Sequence, residues 1–221
     1  MPRPRGRPAA IDRDTLIATT LRIIDTEGIE AVTMRRLAAE LNTSPMAPYR
    51  HVASKEELLQ VAAAALVDDI TIPVPGTPWQ DALQTFFESF HDRLLDHPGV
   101  ARLFGGQAFL SDTVYAVADP VFTILIEAGF DAQTAVSLFM ACASCSIGAA
   151  VLEAAAAAQQ DGTAGDDLVV VVAAKKYPGI AAVAPYLPAR ERPGSYSKAL
   201  RNLIAGYAAT LQQPTAESVE R

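Results

Sequence analysis

The sequence predicts an all-α protein: an N-terminal three-helix head carrying a helix-turn-helix, followed by a larger helical domain. Three observations lead there. Apolar residues recur at helical spacing in one segment after another. Ser, Thr and Asp stand where helices need a side-chain acceptor at their start. Residues 33–55, TMRRLAAELNTSPMAPYRHVASK, read as two short helices joined by a tight turn, the layout that sets a helix into a DNA major groove.

Taken in order, residues 12–27 place Leu16, Ile17, Leu21, Ile23 and Ile24 near helical spacing, with Asp12 or Asp14 as cap and Gly28 as stop. Thr33 caps the next helix, whose apolar face is Met34, Leu37, Ala38 and Leu41. Asn42 suits the left-handed turn that follows. Ser44 then reads as the cap of a second helix with Pro45 in its first turn, anchored by Tyr49 and Val52, and small Ala38 and Ala47 let the two helices cross closely. Ser54 caps a further helix, with Glu57 at the capping-box position. His51 reads as a packing and hydrogen-bonding residue.

Charge sharpens this layout. Positions 1–55 hold nine basic residues against six acidic ones, a net +3, whereas the whole chain of 221 residues carries −7. A basic head on an acidic body suits a protein with one end facing phosphates.

The pattern Gly28-Ile29-Glu30-Ala31-Val32-Thr33, Arg36-Leu37-Ala38, Tyr49-Arg50-His51-Val52 and Ser54-Lys55-Glu56-Glu57-Leu58-Leu59 resembles the tetracycline-repressor (TetR) family of one-component bacterial transcription regulators. The resemblance spans roughly residues 10–65; beyond them only the layout matches. It implies that Ser44, Pro45, Met46 and Ala47 form the base-facing start of the recognition helix. Thr33, Tyr49 and Lys55 match phosphate-contacting positions, Arg35 reaches a base edge and Arg50 a phosphate. Pro48 departs from the family, which usually has an apolar residue such as Leu there. A proline so near a helix start removes little more than the first intrahelical bond, so the expectation is a surviving helix with an altered approach to DNA. Met46 and Ala47 offer no hydrogen bonds, leaving apolar contact with thymine methyls.

Pro4-Arg5-Gly6-Arg7-Pro8 resembles the core of an AT-hook. Arg5 and Arg7 on an extended chain suit a narrow A·T minor groove; a solvated basic tail is the alternative. The expected organisation is a basic arm (1–11), the DNA-binding head (12–70), a ligand-binding and dimerisation domain (71–211) and a polar tail (212–221).

Half of the residues are apolar and 19% are charged, enough for a sizeable core without disulfides. No apolar secretory segment opens the chain, and the uncharged run 138–152 is too short for a confident membrane span, so a cytoplasmic location is expected. A proline-rich break at 71–78 separates the domains. Residues 79–97, 111–128, 131–160 and 195–211 read as helices, 99–106 as a link, 161–167 as a loop and 177–193 as irregular. Residues 168–174 (LVVVVAA) read locally as a strand without a partner, whereas the family layout favours helix. The apolar helix 131–160 and the last helix, by resemblance, pair with their symmetry mates in a four-helix bundle, implying a homodimer on a palindromic operator.

Phe86, Phe87, Phe90, Phe104, Phe109, Tyr115, Phe122 and Phe139 suggest a ring-lined pocket for a small hydrophobic or aromatic effector, with His91 as its polar group or as a satisfied core histidine. Cys142 and Cys145, at i and i+3, read more simply as small hydrophobes than as a redox pair. No cofactor or metal is expected, and three histidines with one C-x-x-C make an enzyme a poor reading. The leading expectation is a repressor released from its operator by ligand. The competing one is a constitutive architectural DNA-binding protein without an effector.

Overall fold

The computed structural model describes residues 11–105, 112–158, 176–183, 195–209 and 211. Among these, every regular element is helical. Residues 1–10 of the basic arm, Phe109, the segments 161–167 and 168–174, and the polar tail lie outside the described residues.

The head comprises α1 (Arg13–Glu27), α2 (Met34–Glu40) and α3 (Lys55–Val67). Each starts on a side chain that takes up an otherwise unpaired backbone N–H. Asp12 accepts from Thr15 at 2.6 Å, and that bond holds its carboxyl below the usual range. Thr33 accepts from Arg36 at 3.0 Å and Ser54 from Glu57 at 3.1 Å. The Glu57 carboxylate returns to the Ala53 N–H at 2.6 Å. α1 stops at Gly28, whose φ of 86° favours glycine. α2 stops at Asn42, the one described non-glycine residue at positive φ (51°). Asn42 N–H bonds to Ala39 and Thr43 N–H to Ala38, the paired closure of a Schellman turn. Leu16, Ile23, Leu37 and Leu58 are fully buried where the three helices meet.

The segment after that turn corrects the sequence expectation. Residues 45–47 form a turn and Pro48–Arg50 a single 3-10 turn, not an α-helix. Pro48 has no N–H to give the Ser44 carbonyl four residues back; that carbonyl instead accepts from Ala47 at 2.9 Å. Ala47, not Ser44, precedes the 3-10 turn, which has no side-chain cap. The anchor differs as well: Pro48 is buried beside Val52, while Tyr49 is 46% exposed.

The body comprises α4 (Trp79–Asp96), α5 (Asp112–Glu127), α6 (Ala132–Ala158), α7 (Pro178–Val183) and α8 (Ser195–Ala208). α6 is central, packed most extensively on α4 and then on α8. Asp131 opens it by accepting from the Thr134 N–H at 2.9 Å and hydroxyl at 2.7 Å. By length and composition Ala132–Ala157 is apolar enough to cross a membrane, with a mean hydropathy of 2.0. Its buried face, however, carries Leu138, Cys142 and Ala150 in a core shared with α4 and α8. The expected link after α4 instead forms a 3-10 segment, Val100–Gly105, and the expected irregular stretch contains α7. Pro178 opens α7 because a fixed φ and a missing N–H cost nothing at a first helical position.

Candidate nucleic-acid interface and ligand cavity

Ion pairs sort the cations of the head into two groups. Arg36 reaches Glu27 at 2.6 and 3.1 Å and Glu40 at 2.6 Å, and Arg22 reaches Glu40 at 2.5 Å. These bonds hold Glu27 and Glu40 below the usual carboxylate range and raise the Arg36 guanidinium. The four side chains brace α1 against α2. Arg35 and Arg50 are exposed and Lys55 is half-buried, and none of the three makes an ion pair among the described residues.

The turn at residues 44–50 presents apolar surface to water. Met46 is 68% exposed, Ser44 and Pro45 are exposed, Ala47 is half-buried, and Tyr49 lies near Arg50 in the 3-10 turn. Thr33 is exposed as well, its hydroxyl oxygen engaged by Arg36 N–H. His51 is half-buried. The structure therefore leaves Thr33, Arg35, Ser44 to Ala47, Tyr49, Arg50 and Lys55 of the head accessible, wholly or in part. Arg5 and Arg7 lie outside the described residues.

In the body, an apolar cavity of about 30 Å³ is bounded by Phe86, Phe87 and Phe90 from α4, Phe104 from the 3-10 segment, and Phe139 with Ala143 from α6. Val114, Val117 and Ala118 of α5 close another side, and Val67 with Ile70, at the exit of α3, close the side towards the head. The rings meet edge to face, Phe90 on Phe104 at 5.3 Å and Phe87 on Phe139 at 5.1 Å between centroids. No described lining residue offers a polar side chain.

The remaining sequence candidates fall elsewhere. Phe122 packs on Phe139 at 4.7 Å outside the lining, and Tyr115 is 54% exposed. His91 is buried but faces α8, stacked on Tyr196 at 3.9 Å. Its Nε2 is 3.3 Å from Glu153 Oε2, near enough for charge attraction but without a hydrogen bond. The Tyr196 hydroxyl donates to the Phe87 carbonyl at 2.8 Å and lies 2.6 Å from Ser146 Oγ; burial raises its pKa. The aliphatic lining (Val67, Ile70, Val114, Val117, Ala118) went unread in the sequence because its only signal there is ordinary helical periodicity. Cys142 and Cys145 are free thiols, and burial pushes Cys142 up to about 12, so little reactive thiolate forms near neutral pH.

A three-helix head with a basic, exposed turn, joined to a helical body around an apolar cavity, is the architecture of helix-turn-helix regulators with an appended ligand domain. The chain belongs to the tetR family of bacterial regulatory proteins. That family's model matches residues 16–62, and a model described as the tetracyclin repressor-like C-terminal domain matches 72–211. An HTH-type transcriptional regulator of Saccharopolyspora erythraea is 25% identical over 203 residues, covering 90% of this chain and 86% of the relative. Among solved structures, a possible TetR family transcriptional regulator from Streptomyces coelicolor A3(2) is 28% identical at a TM-score of 0.75, covering 90% of this chain and all of that one. The Streptomyces coelicolor TetR family protein ActR, solved with actinorhodin, shares the fold at a TM-score of 0.77 and 21% identity, covering 93% and 100% of the two chains. The chain is a transcriptional regulator of this family.

Proposed function

We propose that this regulator is a repressor, bound as a homodimer to a palindromic operator and released by a small hydrophobic or aromatic effector. The single observation that carries the reading is the position of the cavity, whose wall includes Val67 and Ile70 at the exit of α3, the helix that leaves the head. A ligand wedged against that exit favours a head spacing that no longer spans successive major grooves.

On the DNA side, Ser44, Pro45, Met46 and Ala47 face bases, Arg35 reaches a base edge, and Thr33, Tyr49, Arg50 and Lys55 hold phosphates. Arg5 and Arg7 add minor-groove contacts. On the dimer side, α6 leaves Val136, Met140, Ser144, Gly148 and Leu152 exposed at helical spacing, a face suited to close helix packing across a twofold axis. The working divisions are an arm (1–11), a head (12–70), an effector and dimer domain (71–211) and a tail (212–221), in a cytoplasmic protein.

The lining indicates an uncharged effector, since a charge placed among these rings would lose its hydration without compensation. At about 30 Å³ the cavity holds little more than water, whereas a benzene-sized ligand needs roughly 150 Å³, so binding must enlarge it, and the Phe90–Phe104 contact between α4 and the 3-10 segment is one place where it can open. The same small volume favours the second reading, a constitutive DNA binder. Selection of operator DNA from a randomised pool, followed by a panel of neutral aromatic compounds scored on both melting temperature and operator affinity, separates the two. A compound that raises the first and lowers the second supports the repressor. DNA binding that no compound alters supports the constitutive binder.

A further inference from the structure

We propose that Asp25 is a positioning residue: by gripping His97 and Gly99 across the seam between head and body, it fixes the head's orientation, and parting Phe90 from Phe104 releases it. For its effect on DNA this rests on the regulator reading above; the geometry stands by itself.

Asp25 lies in the last turn of α1, where no basic side chain offsets the negative end of the helix dipole. Its neighbour Glu27 is paired within the head. Among the described residues, both hydrogen-bond partners of the Asp25 side chain come from the body. His97 Nδ1 lies 2.7 Å from Oδ2, and the Gly99 N–H donates to Oδ1 at 3.2 Å. An ionised carboxylate only accepts, so Nδ1 carries the hydrogen. The pair is partly shielded, with the Asp25 and His97 side chains 20% and 26% exposed, where a charge-assisted bond is stronger than at an open surface.

Gly99 completes the grip for a steric reason. A Cβ there would sit 2.6 Å from the Ile24 carbonyl oxygen and 2.8 Å from Ile24 Cγ2, so any larger residue would push the end of α4 off α1. The held segment is also the one that carries cavity wall on both sides. Phe90 lies two turns before His97 on α4, Phe104 lies five residues beyond Gly99, and their rings touch. Whatever parts those rings pulls on the residues held by Asp25. The exit of α3 is fastened separately, by Arg93 to Asp69 at 3.2 Å and by the packing of α3 on α4, α5 and the 3-10 segment. These contacts hold α3, whereas Asp25 supplies the polar tie between the end of α1 and the body.

The test uses the full chain carrying two nitroxide labels, one on the head (Ala39→Cys) and one on the body (Asp81→Cys), both exposed positions, in a Cys145→Ala background diluted with unlabelled protein. Pulsed dipolar spectroscopy should give one narrow distance in the parent, and a shifted or broadened distribution in Asp25→Ala and in Gly99→Ala. Asp25→Asn, which keeps the acceptor for Gly99 and nearly the same volume, should fall between and carries the test if the harsher variants do not fold. Operator affinity should drop roughly tenfold in Asp25→Ala, within the range of known coupling between sites. A narrow, unshifted distance in folded Asp25 and Gly99 variants would overturn the proposal. If the parent binds no DNA, the regulator reading falls while the distances still decide the latch.

Discussion

At the residue scale, most determinants of this fold act over three or four positions. Asn42 closes α2 at a φ of 51° with two backbone bonds behind it. A β-branched residue there is strained by about 1–2 kcal/mol, so Asn42→Val should lower the urea midpoint while Asn42→Gly leaves it nearly unchanged; equal midpoints would contradict the left-handed closure. The carboxyls of Glu27 and Glu40 titrate lower in the folded head because Arg36 binds their charged forms. Such a group contributes stability above its unfolded pKa and loses it as pH falls through the lowered folded value. Replacing both with Gln should therefore flatten the stability curve on its acid side and leave its slope near neutrality alone. Both pairs are open to solvent, so the change should be small and salt-sensitive. Cys142, pushed up to about 12 by burial, should resist iodoacetamide at pH 8 in the folded protein, and intact mass should show it alkylated only after denaturation.

At the element scale, most helix starts were legible, whereas the 3-10 turn at Pro48–Arg50 and the short helix α7 were not. Asp12, Thr33, Ser54 and Asp131 each act on an N–H three residues ahead, information that lies wholly within the local sequence. Residues 45–51 carry equally local signals, yet Pro48 falls where its absent N–H prevents the first α-helical bond to Ser44. Pro48→Leu restores that donor. It should raise helicity by circular dichroism and change the operator recovered in selection; an unchanged spectrum would mean that something other than the proline holds the turn. The cavity was half legible. Phe86, Phe90, Phe104 and Phe139 stand out as rings, whereas Val67, Ile70 and Val117 look like any core aliphatic residue until α3, α5 and α6 are brought together. Tyr115 shows the converse: a ring on the exposed side of α5 whose sequence context resembles that of its buried neighbours.

At the scale of the whole molecule, the architecture followed from helical period and capping, because α-helical packing needs little more than apolar faces of the right length. The long-range polar contacts did not. Asp25 meets His97 across 72 positions, and Tyr196 reaches Phe87 across 109, separations over which sequence pattern carries no pairing information. These contacts tie the head to the cavity and the cavity to the last helix, three sites that the sequence presents separately. Most depends on whether the exposed turn 44–50 enters the major groove of duplex DNA, as proposed above. The direct measurement is dimethyl sulfate footprinting of a selected operator in dilute buffer, which reports guanine N7 in that groove. The account predicts two protected patches about one helical turn apart, or a multiple of that, both lost in an Arg35→Ala, Arg50→Ala double variant. Binding without major-groove protection, or no binding at all, would contradict it.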